Sequence, residues 1–240
     1  RDKGIDVDWE TFADRWREHQ GSTLDEKRKA GTGWTKSFVL YRRSLEHVLA
    51  EFGITSLSPA EIDEFNRTWE RLDPWPDSVA GLTRMKKKFI IAAMSNANIS
   101  MIINGAKHAR LPWDAVLGSE IAKHYKPHPD VYRMAADFLG VAPQECMMVA
   151  AHNYDLIGAQ DCGYRAAFID RGSPAHGAGD TEDLEPTGDF DLVAKDLLDL
   201  ADKLGCCRVS RIAAGLERVL VALAQDLLFH LTKGIAGQVI

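Results

Sequence analysis

Apolar residues fall into two spacings along this chain. Between residues 8 and 72 they recur at helical intervals only. Asp8 can cap a first helix in which Phe12 and Trp16 share a face. Trp34 opens a second, with Phe38, Leu45, Val48, Leu49 and Phe52 on one side. Ser58, Pro59 and Glu61 spell a capping box with proline in the first helical position. Gly21 to Gly33 is polar and bracketed by glycines, which predicts a loop between the first two helices. Asp73 to Ser78 carries two prolines and ends this helical unit.

From Ser78 onward short apolar runs alternate with helical patterns. Strands are expected at Phe89 to Met94, Ala115 to Leu117, Met147 to Ala151 and Arg165 to Ile169. Helices are expected over Val79 to Lys87, Ile99 to Ala109, Val131 to Leu139 and from the end of the Met147 run to Asp161. Runs of three to six apolar residues are too short for helices and suit strands buried on both faces, so the alternation predicts an α/β fold with a doubly wound parallel sheet. Arg171 to Gly188, rich in Gly, Pro and acids, reads as a surface loop, followed by a little order around Phe190 to Leu192. In the last stretch Ile212, Leu216, Val219, Leu220, Leu223, Leu227 and Leu231 mark one face of a helix. Three parts result: 1–73 all helical, 74–205 α/β, and 206–240 a helical tail of unknown role.

Composition narrows the function classes. A net charge of -6 and a pI near 5.8 leave no basic footprint for nucleic acid or an anionic membrane. No uncharged apolar run reaches the roughly 18 residues a membrane span needs, and Glu217, Arg218 and Asp226 interrupt the tail. The four cysteines, Cys146, Cys162, Cys206 and Cys207, lack metal-ligand spacing, which fits reduced thiols and a cytoplasmic location.

The candidate chemistry sits where strands end. Ser95 and Asn96 follow one apolar run, Lys126 lies on a loop before Pro127, and His152, Asn153 and Asp155 follow another run. In open α/β sheets ligands bind at the carboxyl ends of strands. A hydroxyl, an amide, a cation and a carboxylate gathered there would suit a reaction that develops negative charge. Each residue also has a plainer reading: Ser95, Asn96, His152 and Asp155 as helix caps, Lys126 as a solvated loop lysine.

The order Ser95-Asn96, then Lys126-Pro127 with Tyr132, then a strand ending before Asp155 resembles motifs two to four of the haloacid dehalogenase superfamily. Over roughly residues 5 to 205 the chain looks most like the type II, (S)-2-haloacid dehalogenase group, whose helical cap subdomain matches the all-helical part. Trp16-Arg17 resembles that group's cap-helix pair. The resemblance implies hydrolytic dehalogenation of small 2-haloacids to 2-hydroxy acids through an aspartyl ester, without a cofactor. It assigns Lys126 to orienting the nucleophile, Ser95 to the substrate carboxylate, Asn96 and Arg17 to the halide, Asp155 to holding Lys126 and the hydrolytic water, and Tyr132 to the substrate side. Lys126→Ala is accordingly expected to be nearly silent in stability and severe in turnover.

Three departures qualify that picture. The family's nucleophile strand is not legible in this chain, and Asp6-Val7-Asp8, which imitates the start of the superfamily phosphatases, has neither an apolar strand before it nor Gly-Thr after it. The chain is therefore expected to lack its nucleophile, to leave two strand edges open deep in the sheet, and to turn over little. Ala151 stands where the phosphatases usually carry a second acid for Mg²⁺, which favours metal-free chemistry. Ala150 and His152 replace the Ser and Asn common in the group, so His152 and Asn153 are the candidates to take over the amide's role. The competing expectations are a Mg²⁺-dependent phosphatase of the same superfamily and an inactive association module, with a homodimer as one way to cover the apolar tail.

Overall fold

The computed structural model describes residues 4–30, 33–171, 185–206 and 219–222. Helices are α1 (Trp9–Ala30), α2 (Ser37–Glu51), α3 (Pro59–Asn66), α4 (Ser78–Met85), α5 (Ile99–Ala109), α6 (Ser119–Ala122), α7 (Pro129–Leu139), α8 (Asn153–Gln160) and α9 (Leu197–Lys203). Strands are β1 (Ile90–Ser95), β2 (Ala115–Gly118), β3 (Cys146–Ala150), β4 (Arg165–Ile169), β5 (Leu192–Ala194) and β6 (Val219–Ala222). All pair in parallel in the order β2-β1-β6-β3-β4-β5. This is the doubly wound α/β architecture expected from the alternation.

Strand alternation sorts the core into two faces. Ile91, Met147, Val149, Ala167 and Ile169 point to the side covered by Leu82 and Met85 of α4 and Leu197 and Leu200 of α9. Ala92, Met94, Met148, Ala150 and Phe168 point to the other side, against Val131, Tyr132, Ala135 and Ala136 of α7 and Leu156 and Ala159 of α8. Asp77 ties the first layer together: its carboxylate accepts the Leu197 amide at 2.8 Å and the Arg171 guanidinium at 2.8 Å. Helix α9 was not expected from the sequence; Asp196 caps it by accepting the Asp199 amide at 2.7 Å.

The helical unit forms as its capping residues direct. Asp8 accepts the Glu10 and Thr11 amides at 3.0 and 3.2 Å and so starts α1. Ser58 and Glu61 close the capping box of α3, with Glu61 accepting the Ser58 amide at 2.8 Å. Ser58→Ala removes one half of that reciprocal cap, and about 1 kcal/mol of stability should be lost in a urea titration. A change below roughly 0.3 kcal/mol would show that packing alone sets the start of α3.

Three expectations are corrected. Gly21 to Ala30 is not a loop but the continuation of α1. Ser22 and Thr23 donate back to the His19 carbonyl at 3.1 and 2.7 Å, Leu24 packs on the Leu40 and Tyr41 cluster, and the charged residues that follow in the sequence are mostly good helix formers. Helix α2 starts at Ser37 rather than at Trp34. Val219 to Ala222 is a strand, not one turn of a tail helix, and it pairs with both β1 and β3, so the two edges expected to be open are joined. A run of Val, Leu, Val and Ala suits a central parallel strand as well as a helical stripe, and the sheet offers it hydrogen bonds on both sides. The rest of the expected tail helix lies outside the described residues.

Candidate active site

The carboxyl ends of β1 and β3 meet around Lys126. This lysine follows the single turn α6 and precedes Pro127, and it is fully buried. Its ammonium donates to the Met94 carbonyl of β1 at 3.1 Å and to Asp155 Oδ2 of α8 at 2.9 Å. Asp155 is also fully buried, one turn into a helix that begins directly after β3, and its other oxygen, Oδ1, accepts the Tyr132 hydroxyl at 2.6 Å. A buried ion pair persists when its remaining lone pairs and protons are satisfied, and here the phenol and the strand carbonyl do that. Burial and then the charge of Asp155 push the Tyr132 phenol well above its ordinary pKa, so it stays a donor.

Asn96 fixes the lysine's backbone. Its Oδ1 accepts the Lys126 amide at 2.8 Å and the Ser119 hydroxyl at 2.5 Å, which leaves the side-chain NH₂ as the donor end. Ser95 closes the turn after β1 by accepting the Ala97 amide at 3.0 Å. The helical unit is latched to the same turn. Ser37 donates to the Asn96 carbonyl, and Asn98 Oδ1 accepts the Phe38 amide at 2.7 Å. Lys36 reaches Glu120 at 3.4 Å, and Tyr125 bonds the backbone of Thr35.

The structure thus brings Ser95, Asn96, Lys126, Tyr132 and Asp155 together and buries all five. Tyr132 lies behind Asp155, with its hydroxyl on the carboxylate, rather than on an open face. Asn153 gives both ends of its amide to the segment after the acidic loop: Nδ2 donates to the Glu185 carbonyl and Oδ1 accepts the Thr187 amide, each at 2.9 Å. His152 stands at the start of α8, partly buried, with its ring stacked on Tyr154 at 5.7 Å. Arg17 is partly buried on α1 beside Trp16, whose indole is fully buried and donates to the Tyr41 carbonyl at 3.1 Å. Sequence reasoning missed Ser119 and Asn98. A Gly-Ser pair directly after the Ala115 run and a second Asn two residues after Asn96 were the available signals.

Tyr132→Phe tests the buried pair from behind. It deletes a hydrogen bond to an ionised carboxylate without opening a cavity and should cost about 2 kcal/mol in chemical denaturation. A loss under roughly 0.5 kcal/mol would mean that Asp155 Oδ1 is satisfied without the phenol.

The site is thus a buried lysine-carboxylate pair at the carboxyl ends of the inner strands of a parallel sheet, flanked by a Ser-Asn turn. Comparison with known proteins makes this specific. The family model for haloacid dehalogenase-like hydrolases matches residues 4–163, and the chain belongs to that family. The defluorinating L-2-haloacid dehalogenase Rha0230 is similar in structure, with a TM-score of 0.80 and 42% identity over 85% of this chain and 84% of that one. The L-2-haloacid dehalogenase PA0810 has a TM-score of 0.75 and 39% identity, covering 82% of this chain and 94% of that one. The (S)-2-haloacid dehalogenase 4A of Burkholderia cepacia is 34% identical over 116 residues, 47% of this chain and 50% of the relative. The chain spans about half the length of the curated relatives it matches. No described helix is long and apolar enough to cross a membrane.

Proposed function

We propose that this site serves hydrolytic dehalogenation of small 2-haloacids, with residues 1–73 acting as a cap over the α/β core of residues 74–205. The observation that carries the reading is the buried Lys126–Asp155 pair held between the ends of β1 and α8. In the reaction the carboxylate oxygen of an aspartate, which the strand between β1 and β3 does not supply here, attacks C2 of the acid and the halide leaves with the bonding electrons. Water then adds to the ester carbonyl, releasing the 2-hydroxy acid and regenerating the carboxylate. Lys126 supplies the positive charge that holds the nucleophile ionised and oriented, with Asp155 as its counter-charge and Tyr132 as the positioning residue behind Asp155. Ser95 takes the substrate carboxylate. The Asn96 NH₂, aimed by the two bonds to its oxygen, receives the halide together with Arg17 from the cap. His152 lines the rim.

The strand between β1 and β3 contributes Val219, Leu220, Val221 and Ala222, none with a nucleophilic side chain. Residues 1–240 alone are therefore expected to release halide slowly or not at all while still binding the acid. The test combines calorimetric titration with (S)-2-chloropropionate and chloride release by ion chromatography, both in EDTA. Saturable binding that Ser95→Ala weakens at least tenfold, about 1.4 kcal/mol, supports the substrate class. Absence of binding, or phosphate release from p-nitrophenyl phosphate that requires Mg²⁺, overturns it.

A further inference from the structure

Far from Lys126 in sequence, α1 and α2 pack side by side and bring His19, His47 and Glu51 together. The candidate ligand atoms of the three side chains all lie within 4.8 Å of one another. His47 and Glu51 are one turn apart on α2, so they project from the same face, and His19 comes from the neighbouring helix. The two imidazoles are 4.1 Å apart between centroids and tilted by 50°. A ring nitrogen binds a metal along a lone pair in the ring plane, and tilted planes let two such lone pairs converge on one point. His19 Nε2 stands 3.7 Å from Glu51 Oε2, too long for a good hydrogen bond and close to the separation of two ligands on one small cation. The other carboxylate oxygen, Oε1, accepts the Arg15 guanidinium at 2.9 Å. That contact fixes the carboxylate's rotation, as outer partners of metal ligands do, and leaves Oε2 turned toward His19.

We propose that His19, His47 and Glu51 form a binding site for a borderline divalent cation of the zinc type, clamping α1 to α2. Two imidazoles and one carboxylate are the donor set that zinc takes with three protein ligands, leaving a fourth position for water. The side chains remain partly open to solvent, which gives the ion an entry path.

A second histidine group sharpens the assignment. His124, His128 and Asp130 are also close together, next to Lys126 in sequence. Their imidazoles, however, are stacked at 3.8 Å with an angle of only 8°, so their in-plane lone pairs run parallel instead of converging. His128 Nδ1 already accepts the Asp130 amide at 3.3 Å as the cap of α7. This group lacks the geometry of the first.

The experiment is calorimetric titration of the full chain with zinc chloride at pH 7.5, with thermal unfolding measured in parallel. The parent, His19→Ala, His47→Ala and His128→Ala are compared, and circular dichroism confirms that each is folded. Zinc should bind one site and raise the melting temperature of the parent and of His128→Ala alike, with reversal by EDTA. His19→Ala and His47→Ala should each weaken that binding at least about tenfold and abolish the thermal shift. Absence of zinc binding by the parent overturns the proposal. So does binding unchanged in His19→Ala and His47→Ala, or lost only in His128→Ala.

Discussion

Lys126→Ala is expected to destabilise the protein by about 3 to 5 kcal/mol, in addition to removing the cation from the site. The sequence alone suggested a loop lysine whose loss would spare stability. Burial reverses that expectation: Lys126 and Asp155 are both wholly inaccessible to solvent and 2.9 Å apart. Deleting the ammonium leaves a carboxylate in the interior with, among the described side chains, the Tyr132 hydroxyl against it, and removes the lysine donor from the Met94 carbonyl. Two neutral variants separate charge from volume. Lys126→Met keeps most of the stem and should still lose most of the stability, because the stranded Asp155 charge rather than the cavity dominates. Adding Asp155→Asn to Lys126→Met should restore part of it, giving a coupling of at least about 1 kcal/mol in a double-mutant cycle read by urea denaturation. Purely additive losses would show that the two groups do not depend on each other, and a Lys126→Ala loss under about 1 kcal/mol would show that Asp155 finds water or another cation.

The parts of the molecule legible in its sequence are those fixed by local chemistry. The apolar runs of β1, β3 and β4 were visible because the middle of a parallel strand buried on both faces is filled by apolar residues, with Ser95 and Arg165 only at strand ends. The Ser58 box was visible because both partners lie within four positions. What escaped depends on pairing across the chain. Nothing local to Val219 through Ala222 says that these residues lie between β1 and β3; Val219 and Leu220 also fit the 3.6-residue period of the apolar stripe in the sequence, and only the sheet's unpaired backbone decides. Gly21 misled in the opposite direction, since one glycine costs a helix about 1 kcal/mol and the packing of Leu24 can offset that. At the site the order of Ser95, Lys126 and Asp155 was readable. That the Asn96 oxygen holds the Lys126 backbone amide was not, because that bond closes a 30-residue excursion.

Gly118→Ala is the second change expected to have a large effect, on the order of 3 kcal/mol or more, although it alters neither charge nor any candidate catalytic side chain. Gly118 ends β2 in register with Ser95 and has a φ of 141°, a conformation open in practice to glycine alone. A Cβ there would lie 2.2 Å from the Ser95 carbonyl oxygen and 2.9 Å from its amide nitrogen. Both are backbone atoms of a central strand, so no side chain can swing away to make room. The strain can be relieved only by pushing β2 from β1 or by rotating the Ser95-Asn96 turn, and Ser119, the next residue, holds the Asn96 oxygen through its hydroxyl. A shift of either kind would uncouple Asn96 from the Lys126 backbone amide. Thermal unfolding should therefore show a large drop in melting temperature. Binding of (S)-2-chloropropionate should weaken even at temperatures where the variant is still folded by circular dichroism. Wild-type stability in Gly118→Ala would mean that the β1–β2 contact relaxes freely, and wild-type binding in a destabilised variant would detach the Ser95-Asn96 turn from substrate recognition.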